Sequence, residues 1–353
     1  MLFPKKPTIS VIIPVYNGGT AFRECLSKLM EAQPQPDEVI VVADGDTDDS
    51  WQLAKEFGVK VLRLSVCSGP ARARNVGAQA ARGDILFFVD ADVAICPEAI
   101  EQVAIAFSQQ PDLDALIGSY DDAPGAKNFL SQYRNLFHHY THQIASTKAS
   151  TFWGACGAIR RDVFLRMGGF DERYRQPSVE DIELGYRLCR AGYKIQLHKG
   201  LQVKHLKRWE AISLIKTDFF KRALPWTELI WRDRLLNNDL NLRTENRIST
   251  VLVYGLMMCL IAAGWSVAFL AVATGLALLL LALNAPLYRF FQSCRGKRFA
   301  LRTIPWHWLY YLYSGLAFAT GTVRHFQKRR VLAVQFSEVL EVRSDITTAL
   351  ELR

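Results

Sequence analysis

The sequence predicts an α/β domain, a mostly parallel sheet covered by helices, followed by C-terminal transmembrane helices. Between residues 8 and 120, apolar β-branched segments alternate with helical periods, as in βαβ units. Between Ile248 and Tyr288 no residue is charged. A single helix of that length would be about 60 Å long, whereas the apolar core of a bilayer is about 30 Å thick.

The predicted strands of the α/β domain end in polar residues. Four strand segments read TISVIIPVYN, DEVIVVADG, VKVLRLSV and DILFFVDAD, and each is followed by a helical segment: TAFRECLSKLMEAQ, SWQLAKEFG, ARARNVGAQAARG and PEAIEQVAIAFSQQP. The five apolar residues of Ile85–Val89 indicate a strand buried on both faces. Asn17, Asp44, Asp90 and Asp92 fall at strand ends, where such sheets bind ligands, and so predict one site.

Charge and cysteine usage narrow the class of protein. The 353 residues carry a net charge of +9, and no basic block interleaved with aromatic residues precedes residue 130. The basic residues gather around the apolar segments of the last third, which favours a membrane surface over nucleic acid as partner. Seven cysteines without CxxC spacing argue against a zinc cluster and a disulfide framework, and predict a reduced, cytoplasmic catalytic part.

The uncharged segment from Ile248 to Tyr288 is interpreted as two membrane spans joined by a turn near Gly264–Ser266, with a buried core hairpin as the alternative. Thr303–Val323 is a third uncharged segment, rich in the Trp, Tyr and His of membrane interfaces. Basic flanks on both sides favour an even number of crossings, hence two spans plus a re-entrant or interfacial segment, although three spans remain an alternative. Arg208–Trp226 resembles a helix on the membrane surface, or one that packs on the domain.

The chain therefore divides into four predicted parts. These are a catalytic domain at 1–210, an amphipathic interfacial linker at 211–247, a membrane region at 248–330 and a cytoplasmic tail at 331–353. We expect an integral membrane protein of a bacterial inner or plasma membrane, with its catalytic domain in the cytoplasm.

The carboxylates of Asp90 and Asp92 are candidate metal ligands. Side chains at i and i+2 of an extended strand point the same way, and a divalent cation relieves the repulsion between two neighbouring carboxylates. Alone, the D-x-D pattern is also typical of a solvated turn.

Other motifs, in a fixed order along the chain, support a functional role for the D-x-D pattern. ISVIIPVYNGG, DEVIVVADGDTDDS, GPARARNVGAQAARGDILFFVDAD, GGFDE and EDIELGYRL occur in this order over about residues 8–210. The set resembles the family 2 glycosyltransferases, which have the GT-A nucleotide-diphospho-sugar transferase fold. The resemblance implies that Asp90 and Asp92 coordinate Mg²⁺ or Mn²⁺ on the diphosphate of a nucleotide sugar, where the metal stabilises the leaving group.

The resemblance also implies a nucleotide site. Its residues would be Pro14, Tyr16, Asn17, Asp44, Gly69, Arg74, Asn75 and Asp90. The sequence departs from the family in having Ala43 before Asp44, where paired acidic residues are usual. Arg72 and Arg74 are positioned to pair with phosphate, and the alternative of a solvated helix face is stronger for Arg72.

Asp181 is the base that the resemblance implies, with Glu180 second, and single displacement by one base inverts the anomeric carbon. The alternative is that both acids only complement the dipole of a helix that begins there. Gly154, Ala155 and Cys156 match a loop beneath the donor sugar and acceptor, and core packing is the preferred role for the Cys156 thiol.

The motif HLKRW has two interpretations. His205 is either a third metal ligand or stands in place of the glutamine of the Q-x-x-R-W motif of processive members, in which Trp209 would contact the acceptor. The ligand interpretation is preferred, with a purely structural histidine as the alternative.

Together these features predict an inverting, hexosyltransferase-like glycosyltransferase. It would move a sugar from a nucleotide-diphospho-sugar to the hydroxyl of a lipid-linked or membrane-delivered glycan acceptor, for cell-surface glycan or glycolipid synthesis, in contact with membrane lipids and not with nucleic acid. The alternatives are a processive polysaccharide synthase of the same family, a nucleotidyltransferase, and a non-catalytic membrane scaffold with this fold.

Overall fold

A nine-stranded sheet forms the centre of the first 210 residues. The computed structural model describes the backbone of residues 6–351 and the side chains of residues 6–328. The strands are β1 Ile9–Val15, β2 Glu38–Asp44, β3 Lys60–Leu64, β4 Ile85–Val89, β5 Val93–Ile95, β6 Ala115–Tyr120, β7 Lys148–Ala149, β8 Cys156–Arg160 and β9 Ile195–His205. Their order across the sheet is β3-β2-β1-β4-β8-β6-β9-β5, and β7 also pairs with β9.

The sheet is mixed, and the prediction of a mostly parallel sheet is wrong. Strands β3, β2, β1 and β4 are parallel, as the alternation of strand and helix predicts. Beyond β4, β8 is antiparallel to both β4 and β6, and β5 and β7 are antiparallel to β9, while β6 and β9 are parallel. Between β6 and β8 the chain passes through α5 and the short strand β7, and it returns to the sheet in the opposite direction.

Helices cover both faces of the sheet. They are α1 Gly19–Met30, α2 Ser50–Glu56, α3 Pro70–Ala80, α4 Ala99–Gln109, α5 Phe129–Ile144, α6 Arg161–Arg166 and α7 Glu180–Arg190. Strand β4 is buried on both faces, as predicted: Phe87 packs in one core with Phe22 of α1, and Phe88 packs in the other with Phe164 of α6. Its carboxyl end is therefore rigidly placed.

The linker at 211–247 consists of short elements packed on the domain. They are α8 Ala211–Lys216, a π-helix at Thr217–Ala223, α9 Leu224–Asp233 and a 3₁₀ turn at Leu240–Leu242. The indole Nε1–H of Trp226 donates a 2.9 Å hydrogen bond to the hydroxyl of Tyr186 on α7. Ile212 and Phe220 point outward, with 69% and 59% of their surface exposed. The linker thus packs one face on the domain, and its outward residues include these two apolar side chains beside polar ones such as Lys216.

The C-terminal helices are α10 Thr244–Ala262, α11 Ala268–Leu283, α12 Ala285–Arg295 and α13 Lys297–Glu351. The break between α10 and α11 coincides with the turn predicted near Gly264–Ser266. Within the described residues, α10 is long and apolar enough to cross a bilayer, and α11 with α12, bent by 61°, would add a second span if the two are counted together.

Apolar side chains on α10 and α11 face outward, among them Val251, Met258 and Ile261, which are 71%, 70% and 63% exposed. The segment Thr303–Val323 lies inside α13 and is not a separate helix. The predicted tail, 331–353, overlaps the end of α13, and its side chains lie outside the described residues.

Candidate active site

Arg74 occupies the centre of the candidate site. This side chain on α3 is buried, and its Nη2 lies 2.6 Å from Oδ1 of Asp90 while its Nη1 lies 3.0 Å from Oε1 of Glu180. Burial lowers the pKa of a guanidinium, but the negative charges of Asp90 and Glu180 outweigh burial and raise the pKa of Arg74. Arg74 is therefore a fixed cation that joins the D-x-D motif to the Glu180-Asp181 motif.

Two neighbours shape the space around this guanidinium. Its Cζ lies 5.3 Å from the centroid of the Phe170 ring. A Cβ atom added to Gly154 would lie 2.9 Å from the same Cζ, so a larger residue at this loop position would displace the guanidinium from its two ion pairs. Gly154 is thus needed for the close packing of the loop on Arg74.

Asp181 is held at the start of α7 beside this cluster. Its Oδ2 accepts a 3.2 Å hydrogen bond from the backbone N–H of Gly154, and its Oδ1 accepts a 2.8 Å bond from the N–H of Ile182. Burial and the charge of Glu180 raise the pKa of Asp181 to about 7, against the opposing charge of Arg74. A carboxyl with this pKa can accept a proton near neutral pH.

Glu180 has a different environment from Asp181. One carboxylate oxygen pairs with Arg74, and the other accepts a 2.8 Å hydrogen bond from the backbone N–H of Ser178. Glu180 is 4% exposed and ion-paired with Arg74, so it positions that guanidinium. Asp181 is partly exposed and is therefore the better placed acid of the two to meet a substrate.

Asp92 and His205 form a second polar pair. Nε2 of His205 lies 3.7 Å from Oδ2 of Asp92, because β5 and β9 pair with Val93 opposite His205. The imidazole stacks on Tyr120 with 4.4 Å between ring centroids. Burial raises the pKa of Asp92, but the interaction with the neighbouring His205 ring outweighs burial and lowers the pKa overall. Asp92 is thus favoured as a carboxylate.

The predicted metal triad of Asp90, Asp92 and His205 is not assembled. Among the described residues, no group of three or more His, Cys, Asp and Glu side chains could hold a metal ion. The reason at Asp90 is its ion pair with Arg74. Asp92 and His205 together offer a carboxylate oxygen and an imidazole nitrogen, a donor set that fits Mn²⁺ or Mg²⁺ when phosphate oxygens and water supply the other ligands.

Three predicted nucleotide-site residues form the edge of the sheet. Asn17 follows β1, and its Oδ1 accepts a 2.8 Å hydrogen bond from the N–H of Thr47. Asp44, at the end of β2, accepts 2.8 Å bonds from the backbone N–H groups of Ser68 and Gly69. The bonds of Asp44 hold the loop before α3 at the strand ends, and the bond of Asn17 holds the loop before α2 there.

The exposure of the other residues in this region varies. Tyr16 is 54% exposed, and Arg72 is exposed on the outer face of α3. Pro14, by contrast, is buried within β1, where it lies opposite Val42, so it does not face a ligand. Nucleotide binding by Pro14 therefore stays a prediction, which the buried side chain does not support.

Asn75 also differs from its predicted role. Its Nδ2 donates to the carbonyl of Phe170 at 2.8 Å and to the carboxylate of Glu172 at 3.0 Å, and its Oδ1 accepts from the N–H of Phe170 at 2.9 Å. The amide is thus used to hold the GGFDE turn and does not face a nucleotide.

Three residues predicted for the acceptor and donor-sugar site, Ala155, Cys156 and Trp209, are buried in the domain. The carbonyl of Ala155 accepts a 3.4 Å bond from the N–H of Asp90. Cys156 is buried in β8, and burial raises the pKa of its thiol, so core packing and not acceptor contact is its role. Trp209 is also buried, with its backbone N–H bonded at 2.7 Å to Oγ of Ser131.

Sequence reasoning missed polar residues on α5. Arg134 and His138 are one helical turn apart and lie near His205 and Trp209. Their spacing is the only local signal, and it is equally typical of a solvated helix face.

The Arg74 ion pairs generate a stability prediction. Arg74→Gln would leave Glu180 buried without a countercharge, and we expect a loss of about 3–5 kcal/mol in the free energy of unfolding. Arg72→Gln, on the exposed face of the same helix, should change it by less than about 0.5 kcal/mol. Chemical unfolding of the full chain in detergent, followed by tryptophan fluorescence, measures both. Equal stability of the two variants would show that the cluster is not a structural centre.

Comparison with known proteins shows what this domain is similar to. Residues 10–168 match the family described as glycosyl transferase family 2, and residues 134–210 match the one described as N-terminal domain of galactosyltransferase. Similar curated proteins include glycosyltransferase GlyG of Streptococcus pneumoniae, 34% identical over 32% of this chain and 38% of GlyG, and the probable glycosyltransferase YdaM of Bacillus subtilis, 26% identical over 54% of this chain and 48% of YdaM. The chain thus spans less than half the length of these two relatives.

Solved structures share the fold. The mannosyltransferase PcManGT from Pyrobaculum calidifontis, in complex with GDP-Man and Mn²⁺, has a TM-score of 0.55 at 18% identity and covers 90% of this chain and 88% of its own. S. aureus TarS 1–349 has a TM-score of 0.50 at 18% identity, with 92% and 91% covered. At these identities the likeness shows the fold alone. Residues 10–168 are thus similar to the glycosyl transferase family 2 domain, and the fold is α/β and GT-A-like, with a mixed sheet covered by helices.

Proposed function

We propose that this protein is a membrane-anchored, inverting glycosyltransferase that moves a sugar from a nucleotide-diphospho-sugar to a hydroxyl of its acceptor. The observation that carries the proposal is the single cluster formed by Asp90, Arg74, Glu180 and Asp181. It joins the D-x-D motif to Asp181, a carboxyl with a pKa of about 7. The family 2 match supports the class of enzyme. The complex of PcManGT with GDP-Man and Mn²⁺ supports a nucleotide sugar and a divalent metal.

Asp181 would act as the general base. Its carboxylate takes the proton of the acceptor hydroxyl as that oxygen attacks the anomeric carbon, and the bond from this carbon to the nucleoside diphosphate breaks in the same displacement. One displacement from the face opposite the leaving group gives inversion. Glu180, through Arg74, keeps the motif of Asp90 in place on the other side of the cluster.

Asp92 and His205 are the residues that would hold Mg²⁺ or Mn²⁺, with Asp90 beside them. When bound, the metal supplies Lewis-acid stabilisation for the negative charge of the departing diphosphate. Asn17, Asp44 and Gly69 form the strand-end edge that would receive the nucleoside.

The acceptor is proposed to be lipid-linked or delivered at a membrane, for cell-surface glycan or glycolipid synthesis. The outward apolar side chains of α10 and α11, with Ile212 and Phe220 on the linker, support an apolar environment beside the domain. A relative with 25% identity over 63% of this chain is the O-antigen chain rhamnosyltransferase WbaN of Salmonella anatum. On this proposal residues 1–210 are the catalytic domain, 211–247 the interfacial linker, 248–330 the membrane region and 331–353 the tail, with domain and tail in the cytoplasm.

Donor turnover tests the proposed reaction. We expect the purified full chain in detergent to release a nucleoside diphosphate from one member of a panel of UDP-, GDP- and dTDP-sugars, with release lost in EDTA and restored by Mn²⁺. Asp92→Ala should abolish release, and Asp181→Asn should lower it by about 10²–10⁴-fold. Asp112→Ala, on the exposed surface, is the matched control and should keep full activity.

A different product would contradict this assignment. Release of pyrophosphate from a nucleoside triphosphate would identify a nucleotidyltransferase. Metal-dependent nucleotide binding without release from any donor, even with membrane lipid extract as acceptor source, would favour a scaffold.

The pKa of Asp181 predicts the pH dependence of the rate. Below pH 7 the protonated carboxyl cannot accept the hydroxyl proton, so the rate should fall about tenfold per pH unit below about 7 and level off above it. Initial rates between pH 5 and 9 measure this decrease below pH 7. The residual rate of Asp181→Asn should not show the decrease, and the same decrease in that variant would assign the titration to another group.

Membrane anchoring is tested by fractionation. We expect the full chain to stay in the membrane pellet after alkaline carbonate and to be extracted by detergent, because the apolar faces of α10 and α11 would be in the bilayer. Release by carbonate alone would contradict the anchoring. Reaction of Cys67, which is exposed in the domain, with an impermeant thiol reagent only after cell lysis would agree with a cytoplasmic domain.

A further inference from the structure

A basic surface lies where α12 meets α13. Between residues 246 and 337 every charged residue in the sequence is a lysine or an arginine. Four of these cations are exposed and form what we call the α12–α13 basic surface: Arg289, Lys297, Arg298 and Arg302. Leu301, beside Arg302 in the sequence, is 65% exposed. The surface therefore combines positive charge with an outward apolar side chain, as helices at a membrane interface do.

A bend after α11 sets the level of this surface. The side chain of Asn284 is buried at the bend, where its Nδ2 donates a 3.0 Å hydrogen bond to Oγ of Ser249 and its Oδ1 accepts a 2.8 Å bond from the hydroxyl of Tyr311. Ser249 lies near the start of α10, so α10 begins and α11 ends at the same level. Helix α12 then turns away from α11 by 61°. On the proposed anchoring this level is the membrane surface, and α12 runs along it.

The opposite side of α12 is attached to the domain. Leu287 and Phe291 are buried in one cluster with Phe137 of α5. Nη2 of Arg295 donates a 2.6 Å hydrogen bond to the backbone carbonyl of Asp122. These contacts hold α12 in place and use Arg295 as a link to the domain, which leaves the other four cations on the outer side.

The charge of the α12–α13 basic surface is not neutralised within the described part of the chain, where its four side chains form no ion pair. The guanidinium of Arg302 lies over the Phe129 ring, 4.4 Å from the centroid, a contact that uses its face and not its N–H donors. On the adjoining loop, Asp121 already pairs with Lys204 at 2.8 Å. Asp122 is then one negative charge against four positive ones.

The partner of this surface must present several negative charges side by side, at the level where the apolar helices end. A layer of anionic phospholipid headgroups does so, and its phosphate oxygens accept hydrogen bonds from guanidinium and ammonium groups. The headgroup of phosphatidylcholine fits less well, because its own quaternary ammonium opposes the cations of the protein. Charge complementarity thus distinguishes between two classes of lipid.

We propose that the α12–α13 basic surface binds the headgroups of anionic phospholipids, so that the protein selects lipids of net negative charge around its membrane region. The proposal rests on the membrane anchoring proposed above and names the lipid partner of that region. It involves neither the donor nor the acceptor, since the four cations lie on α12 and α13 and the candidate active site lies on the sheet, α3 and α7.

Lipid selectivity in a bilayer tests this surface. The full chain is reconstituted in phosphatidylcholine vesicles that contain a trace of spin-labelled phosphatidylglycerol or of spin-labelled phosphatidylcholine. Electron paramagnetic resonance then measures the fraction of each label that the protein immobilises. We expect phosphatidylglycerol to associate about threefold more strongly than phosphatidylcholine. This preference should fall in about 1 M NaCl, because salt screens exposed charges.

Two double variants locate the preference. Arg298→Gln with Arg302→Gln should lower it at least twofold, whereas R298K with R302K, which keeps both charges, should retain it. Arg289→Gln with Lys297→Gln should cause a similar loss and does not touch the contact with the Phe129 ring, so it separates charge from packing.

The matched control removes two charges from the surface of the domain. Arg23 and Arg166 are 59% and 60% exposed and pair with Glu56 and Asp162. Arg23→Gln with Arg166→Gln changes the net charge by the same amount and should leave the lipid preference unaltered.

Three results would overturn the proposal. Equal association of the two lipids with the unaltered protein would exclude an anionic-lipid surface. An equal loss in the control variant would attribute the preference to the net charge of the chain. A loss in R298K with R302K as large as in the glutamine variant would attribute it to packing. These measurements need no turnover, so a chain that stays in the carbonate pellet without lipid preference would reject this surface and leave the proposed function standing.

Discussion

The structure of the site depends on one buried guanidinium between two carboxylates. Arg74, Asp90 and Glu180 lose hydration when the domain folds, and only close, opposite charges offset that cost. The loop that carries Gly154 packs on the same guanidinium and donates its N–H to Asp181. Asp181 and the D-x-D motif, on separate elements, are thus held in one geometry around a single side chain.

Local signals in the sequence predicted much of the first half of the fold. Apolar segments such as Ile85–Val89 predict buried strands because few other structures bury five successive apolar residues between polar ends. The direction of β8 and β9 has no such signal. It is set by which strands they pair with, and the glycine-rich segment around them matches no regular period. That is why a mixed sheet was predicted as mostly parallel.

The same distinction between local and distant contacts explains which properties of the site could be predicted from the sequence. Asp90, Asp92 and Asp181 were predicted as functional because motifs carry them. The partners of these residues are remote in sequence: Arg74 meets Glu180 across 106 positions, and Asn75 meets Phe170 across 95. Whether Asn75 faces a ligand or a turn is therefore decided by tertiary packing. For Arg134 the sequence offers only helical spacing, and the structure alone reveals its ion pair with Asp218.

Helix α7, which carries Asp181 in its first turn, is also attached to the linker. Oγ of Ser178 donates to the carbonyl of Lys221, Tyr186 accepts from Trp226, and Arg232 pairs with Glu183. On the proposed membrane anchoring, these bonds would fix the height of the Asp181 carboxylate above the lipid headgroups. The distance between the reacting hydroxyl and the membrane would then be a criterion of acceptor selection, independent of the sugar that carries the hydroxyl.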